Sequence, residues 1–496
     1  MKFSQFDDYK ALREFYMNND LEVSDDIVGQ DGAVFSVAGD ENGKILAAAT
    51  LSKRHGIFIL DYIAVASDLR GKGIGREIFR LIQQKSVLLN ADRIYLTARN
   101  PGFFRNVGFA EGNPENVDMN ADCKGCPQYG ISCVSVPMYK EVSMTREDFL
   151  KFKAGLLCYG ASLTEESKRA LEQERPEFFE KGFIDAVNMN VNGSNICVSI
   201  AEGFSESSQF RLEKDKSGYY IMYNGHRNNV RFFHKLPETG TVVDDLARLH
   251  ADGCINIWPS TNCCYDKPDI KCKFCSLLPK TLEPISINEL ARGIKILLEK
   301  HPDYTLNFSG ATYKSPDIMV EYWCDLCRKI REFSDCPIAV EFAPPEDLSL
   351  IKKLHDSGAT VAIMNIEVVD NGLRKKICPG KSAITLEHYH KAFEKAVECF
   401  GFGQVSSVMI GGIQPKEDII NECEVIAPMG VFPTIMPFRP LDDCTLSEMK
   451  ACDPDDLIKM SEHLGKILRK YGLAPHRQEG CTKCGGCSIE NDCYKK

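Results

Sequence analysis

Short apolar runs alternate with amphipathic stretches along nearly the whole chain. In residues 1–140 the runs AVFSVAGD, KILAAATLS and IFILDYIAVA have the length and composition of strands, while REIFRLIQQKSVLL repeats its apolar positions with a helical period. Residues 141–245 are mixed. FLKFKAGLLC and ESKRALEQE read as helices, NICVSIA and YYIMYN as strands, with Gly, Asn and Ser between them, and no chemistry attaches to this stretch. Over residues 246–475 the alternation becomes regular: INIWPS, ELARGIKILLEK, YTLNFSG, MVEYWCDLCRKIREF, IAVEFA, LSLIKKLHDSG, VAIMNIE. Repeated βα units of this length predict a parallel sheet or partial (β/α) barrel, with its active site at the C-terminal strand ends. Residues 476–496 form a cysteine-rich tail. The fold class is α/β, in four segments.

Composition narrows the class. A chain of 496 residues is too long for one small module. Sixty Lys and Arg against 70 Asp and Glu, a net charge of −10, and 44% hydrophobic residues describe an ordinary globular protein. That balance implies no general grip on nucleic acid. The start, MKFSQFDDYK, has no apolar run behind its lysine, and no eighteen apolar residues occur in succession. Neither secretion nor membrane spanning is indicated, and a cytoplasmic protein is expected. The 22 cysteines are unusual, and many are grouped: Cys123, Cys126, Cys133; Cys263, Cys264, Cys272, Cys275; Cys481, Cys484, Cys487, Cys493. Close Cys-x2-Cys spacing in a large chain of this type points to a metal or cluster rather than a disulfide framework.

Near the N-terminus the strand ending in Ala64 and Val65 is followed by Arg70, Gly71, Lys72, Gly73, Ile74 and Gly75, and then by a helix. Glycines let the backbone approach an anion closely, and the helix's first N–H groups point at it with the helix dipole behind them. Together with the strand RIYLTA and the segment NPGFFRNVGF, this loop resembles the GCN5-related N-acetyltransferase (GNAT) family over residues 1–120. The resemblance implies that Val65 and the loop Arg70–Gly75 bind the pyrophosphate of acetyl-CoA. Many members of that family carry a tyrosine general acid where this chain has Phe104, and a phenyl ring cannot protonate a thiolate. Asp61 and Tyr62 are the remaining catalytic candidates. Asp61 reads more readily as an ordinary polar residue on a sheet than as a base.

After the strand CINIWPS comes TNCCYDKPDIKCKFCS, with seven residues between Cys264 and Cys272 and two between Cys272 and Cys275. Three thiolates on a [4Fe–4S] cluster leave one iron open. An open iron can bind S-adenosylmethionine and reduce it to a 5′-deoxyadenosyl radical. A cluster loop after the first βα strand, with an aromatic inside CKFC, resembles radical S-adenosylmethionine enzymes over residues 250–475, of the biotin synthase and lipoyl synthase branch. Their usual spacing is three residues then two. The longer gap leaves the first ligand open between Cys263 and Cys264, with Cys264 favoured. The resemblance further implies cofactor contacts from Ser309 and Gly310, from Glu367 on the ribose, and from Ile410, Gly411 and Gly412 on the adenine. The family's acidic residue after the glycine pair is absent here.

In the tail, Cys481, Cys484, Cys487 and Cys493 are separated by two, two and five residues. The first three cysteines match the opening of a bacterial ferredoxin run, so an auxiliary [4Fe–4S] cluster is expected, with a zinc knuckle as the alternative. Cys123, Cys126 and Cys133 suit zinc or a cluster equally. Cys324 and Cys327 lie on a helix and read as packing residues, and His55, His226, His234 and His301 as lone histidines.

The expectation is a radical S-adenosylmethionine enzyme for a small-molecule substrate, served by an electron donor such as ferredoxin or flavodoxin and joined to an acetyl-CoA-dependent acyltransferase. Two alternatives stand beside it. In the first, the N-terminal domain is reduced to an acetyl-CoA sensor or docking module; in the second, the chain modifies tRNA as the Elongator catalytic subunit does. The acidic net charge and the lack of a basic run count against the second.

Overall fold

The computed structural model describes residues 2–6, 8–23, 34–41, 44–54, 56–89, 91, 93–113, 131, 135–142, 144, 146–179, 186–224, 226–251, 253–276, 283–475, 479 and 481–494. The chain divides into two units, Met1–Phe149 with Met222–Arg227, and Leu150–Ile221 with Asn228–Lys496. Segments 141–245 and 246–475 thus fall largely within one unit. Among the described residues no helix is long and apolar enough to cross a membrane.

The first unit is built on a seven-stranded sheet in the order Lys2–Gln5, Val34–Glu41, Lys44–Arg54, Ile57–Val65, Arg93–Ala98, Val136–Glu141, Ala110–Glu111. Two-residue periodicity in KILAAATLS sends Ala47, Ala49 and Leu51 to one face and Ala48 to the other. The first face is covered by Ile78, Phe79 and Ile82 of the helix Ile74–Leu88. Leu12, Phe15 and Tyr16 of the helix Tyr9–Met17 cover the second. That helix starts where Asp8 accepts the Ala11 N–H at 3.0 Å, satisfying one of its orphan donors. Ile57–Val65 and Arg93–Ala98 run parallel, with pairing recorded at Phe58–Ile94 and Ile59–Tyr95, near the start of both strands.

Two further sheets follow along the chain. One is six-stranded and largely antiparallel, in the order Ser194–Ser199, Ala186–Val191, His226–Phe232, Gly218–Tyr223, Arg211–Asp215, Ser162–Leu163. The helix Arg146–Tyr159 is buried along most of its length, and Gly155 lets it do so: a β-carbon there would stand 2.3 Å from the Phe210 ring.

The other sheet has seven strands in sequence order: Ala247–Ala251, Cys254–Ile257, Thr305–Phe308, Ile338–Glu341, Val361–Ile363, Val405–Gly411, Val431–Pro437. The edge strand Ala247–Ala251 is antiparallel to its neighbour, a departure from the all-parallel expectation. The remaining pairs are parallel. Helices Ile287–Lys300, Pro316–Arg331, Ser349–Asp356, Leu386–Phe400 and Lys416–Ile426 intervene. Their starts are marked in the sequence: Ser315 and Thr385 accept the N–H groups of Ile318 and His388. When each parallel strand adds beside the last, right-handed crossovers return every helix to the same face and leave the other face for a cavity. Cys324 and Cys327 are wholly buried in Pro316–Arg331, packing residues as expected.

Candidate functional site

A cavity of about 500 Å³ lies in the second unit at the C-terminal ends of the parallel strands. Cys263, Cys272 and Cys275 line it, together with Ser309, Gly310, Glu367 and Ile410. Cys264, the favoured first ligand, is not among its lining residues. The loop is turned by backbone bonds: Asp266 N–H to Cys263 O at 2.9 Å, Cys275 N–H to Cys272 O at 3.0 Å, and Cys264 N–H to Thr312 O at 2.8 Å. Hydrogen bonding from the Cys264 thiol, with the Tyr265 and Thr312 amides, pulls Cys263 down to about 6. The same pairing pushes Cys264 up, and burial pushes Cys272 up.

Ser309 Oγ donates to Asn256 Oδ1 at 3.1 Å, and Asn307 Nδ2 donates to both. At Gly310 a β-carbon would stand 2.6 Å from Ser260 O, so only glycine lets these two loops meet. The strand expected to carry Glu367 stops at Ile363, and Glu367 adopts the left-handed region with φ +67°, held by its N–H to Val408 O at 2.8 Å and by Ile410 N–H to its own carbonyl at 2.9 Å. A non-glycine residue there stores strain of the sort found at functional sites. Its carboxylate pairs with Lys381 Nζ at 2.6 Å; burial opposes the lysine's charge, yet Glu367 keeps it protonated. Glu341 and Asn365, which donates to it at 2.8 Å, complete this wall. Lys381, Glu341 and Asn365 were invisible in sequence because they stand outside any spaced motif.

Gly411 and Gly412, expected on the cofactor, do not line the cavity. They serve packing: β-carbons would stand 2.9 Å from Met460 Cε and from Cys452 Cα respectively.

The tail contributes to the same cavity through Gly485, Gly486, Cys487, Ser488 and Glu490. Its cysteines diverge. Cys484 Sγ accepts the Gly486 N–H at 3.2 Å, whereas Cys493 is buried where the chain crosses Gly465 of the helix Pro454–Tyr471. Nothing is described of the Cys481 side chain. Cys197 joins this neighbourhood unforeseen: its N–H bonds Gly486 O at 2.8 Å, and hydrogen bonding with the Cys487 thiol brings it down to about 6. His250 Nε2 lies 3.8 Å from Cys487 Sγ, and burial lowers the imidazole to about 4. Cys197 sits on an ordinary strand, so spacing could not have found it. Among the described residues no three His, Cys, Asp or Glu gather closely enough to hold a single metal ion. Cys123, Cys126, Cys133 and His55 lie outside the described residues. His226 is buried, and His234 and His301 are not lone: His301 stacks on Tyr304 with ring centroids 4.5 Å apart, and Tyr304 Oη lies 3.1 Å from His234 Nε2.

In the first unit, Gly71 and Gly73 take φ +81° and +84°, which puts the turn of Arg70–Gly75 beyond the reach of most side chains. The helix Ile74–Leu88 starts there, with Arg76 N–H to Gly73 O at 3.0 Å as its opening bond. Its leading amides therefore face the loop, as an anion site requires. Arg70 Nε donates to Val65 O at 3.0 Å, tying the loop to the strand end. A β-carbon at Gly75 would press on the Phe103 ring at 3.2 Å. The catalytic candidates are committed elsewhere. Asp61 occupies a bulge opposite Thr50 and Leu51, pairs with Arg54 Nη2 at 2.9 Å and accepts from Ser52 Oγ. Tyr62 stacks on Tyr16, centroids 5.1 Å apart, and Phe104 packs edge-on against Phe103 and Phe109.

A 156-residue stretch, 30% of this chain, is 29% identical to bacteriochlorophyllide c C-7(1)-hydroxylase of Chlorobaculum limnaeum and spans 39% of that relative's length. Among solved structures, the ribosomal-protein-S18-alanine N-acetyltransferase of Escherichia coli is similar over 29% of this chain and 95% of its own, at 18% identity and TM-score 0.22. An aminoglycoside 6′-N-acetyltransferase solved with coenzyme A matches 29% of this chain and 99% of its own, at 16% identity and TM-score 0.23. Residues 5–111 match the model of the acetyltransferase (GNAT) family, and the N-terminal part of the chain is thus a GNAT acetyltransferase domain.

Proposed function

We propose that the second unit is a radical S-adenosylmethionine enzyme acting on a small molecule and that the first transfers an acetyl group from acetyl-CoA to an amine. The observation that carries the first half is the convergence of Cys263, Cys272 and Cys275 on one cavity with Ser309, Gly310 and Glu367. Three thiols on the wall of a cavity fit a cluster, which spaces its thiolates more widely than a single ion does. When bound, a [4Fe–4S] cluster with S-adenosylmethionine supplies a carbon radical able to take a hydrogen atom from an unactivated C–H bond. The chain's own part is to hold and enclose. Cys263, rather than Cys264, takes the first ligand position with Cys272 and Cys275; the Ser309–Gly310 backbone, Glu367 and Ile410 orient the nucleoside; the tail helps to exclude water. Likeness to a hydroxylase supports chemistry at a C–H bond. An electron donor such as ferredoxin or flavodoxin is required. Cys484 and Cys487, with Cys197 beside them, are the candidates for an auxiliary cluster or zinc.

Protein reconstituted anaerobically with iron and sulfide should turn brown and, on reduction, release 5′-deoxyadenosine from S-adenosylmethionine. Absence of 5′-deoxyadenosine from fully iron-loaded protein would overturn the radical reading.

A second reading of the first unit rests on the commitment of Asp61 to Arg54 and of Tyr62 to Tyr16. With Phe104 in place of a tyrosine, the domain would bind acetyl-CoA without turning it over. Coenzyme A release measured across a panel of primary amines separates the two.

A further inference from the structure

The wall that the tail contributes differs chemically from the cysteine-bearing part of the cavity. Glu490 is 1% exposed and faces the cavity; its Oε1 accepts from Ser488 Oγ at 2.7 Å, while its buried Oε2 makes no hydrogen bond of ordinary geometry, the Thr434 hydroxyl being the other side-chain hydroxyl that acts on the carboxyl. Four more buried atoms of cavity-lining residues share that state: Asn307 Oδ1, whose amide nitrogen is committed to Asn256 and Ser309, Glu367 Oε2, and the hydroxyls of Ser406 and Thr434. Leaving a buried polar atom unpaired is costly, and five around one void form an arrangement that a ligand completes.

Charge identifies the ligand. On the same cavity Glu367 pairs with Lys381 at 2.6 Å and Asp266 with Lys271 at 2.9 Å, while Arg439 donates to the carbonyls of Leu157 and Cys197. Glu341 and Glu490 make no ion pair among the described residues. The cavity is therefore lined by four carboxyl groups, Asp266, Glu341, Glu367 and Glu490, against the cations Lys271, Lys381 and Arg439.

From this we infer that the cavity binds a small molecule bearing a primary amine, its ammonium donating to Glu490 Oε2 and its other polar groups meeting Asn307 and Ser406. This names the substrate class of the radical site and rests on that reading only for the chemistry that follows binding. Acetyl transfer also consumes an amine, so one class of compound would serve both units.

The test uses the full chain with saturating S-adenosylmethionine throughout, so that the cofactor's own ammonium cannot be the group detected. Calorimetric titration compares 2-phenylethylamine with its neutral counterpart 2-phenylethanol. The amine should bind saturably and at least tenfold more tightly than the alcohol, and Glu490→Gln should abolish that preference while leaving the alcohol's affinity unchanged. Equal affinities in the unsubstituted protein, or a preference that survives in Glu490→Gln, would overturn the inference; the first comparison needs no variant, so misfolding of the second cannot shield it. Release of 5′-deoxyadenosine is measured alongside. Amine preference without cleavage removes the radical reading and leaves the binding site, and cleavage without preference does the reverse.

Discussion

Lys153 Nζ lies 2.8 Å from Asp492 Oδ2, a contact between residues 339 positions apart. The lysine, 2% exposed, also donates to Gly485 O at 2.8 Å and to Ser194 Oγ at 3.2 Å, so its three donors are used on the tail and on one neighbouring strand. Arg469 adds bonds to the Cys493 and Tyr494 carbonyls at 3.0 and 2.9 Å. The tail is held as part of the second unit, and that is what lets its residues form a cavity wall.

Removing one member of a buried pair leaves the other uncompensated. Lys153→Met should therefore destabilise the second unit by about 3 kcal/mol and expose the tail, since both Asp492 and Gly485 O lose their donor. Urea denaturation gives the first quantity. Limited proteolysis near residue 480 should become faster than in the unsubstituted protein, and an unchanged cleavage rate would mean that the lysine does not anchor the tail.

Cys263 and Cys264 can be separated by single substitutions. Cys263→Ala should lose the iron of the radical site and with it release of 5′-deoxyadenosine. Cys264→Ala should keep both, because that residue does not line the cavity. Iron analysis and product chromatography on the two variants check this, and the opposite pattern would restore the sequence-based choice.

At Gly75 an added side chain meets the Phe103 ring, and at Gly73 it must adopt φ +84°. Gly75→Val and Gly73→Val should each weaken acetyl-CoA binding at least tenfold by displacing the helix amides that face the pyrophosphate, a loss of about 1.4 kcal/mol or more. Isothermal titration of acetyl-CoA reads the effect directly. If both variants bind as the unsubstituted protein does, the loop is not the phosphate site.

Burial pushes Glu490 up to about 7, against the partial opposition of Ser488, of its own backbone, of Lys153 and of Thr434. An acid whose folded pKa lies above its unfolded value holds its proton more tightly in the folded state, so its contribution is full below about pH 4.5 and is lost as pH rises through 7. The ligand-free protein should thus lose stability between these limits by an amount on the order of 3 kcal/mol, and Glu490→Gln should flatten that part of the profile. Thermal melts from pH 4.5 to 8 provide the measurement, with equal slopes in both proteins counting against the buried carboxyl.

Much of the architecture was legible in the chain itself. The period-two run KILAAATLS, the amphipathic helix after Gly73 and the regular βα alternation each encode an element locally, because side-chain periodicity and capping act over a few residues. The cysteine loop and the glycine loop were legible for the same reason, since their chemistry depends on spacing within one turn. What tertiary structure alone decided is which of these local features meet. Cys263 but not Cys264 lines the cavity, Gly411 and Gly412 pack closely against Met460 and Cys452, and Asp61 pairs with Arg54. Cys197, Lys381 and Glu490 come to the cavity from a strand, a short helical turn and the tail, through long-range packing that no local pattern records. Periodicity and spacing are properties of neighbours in sequence, whereas the lining of a cavity is set by strand order and by contacts such as Lys153 with Asp492, which depend on the whole folded chain.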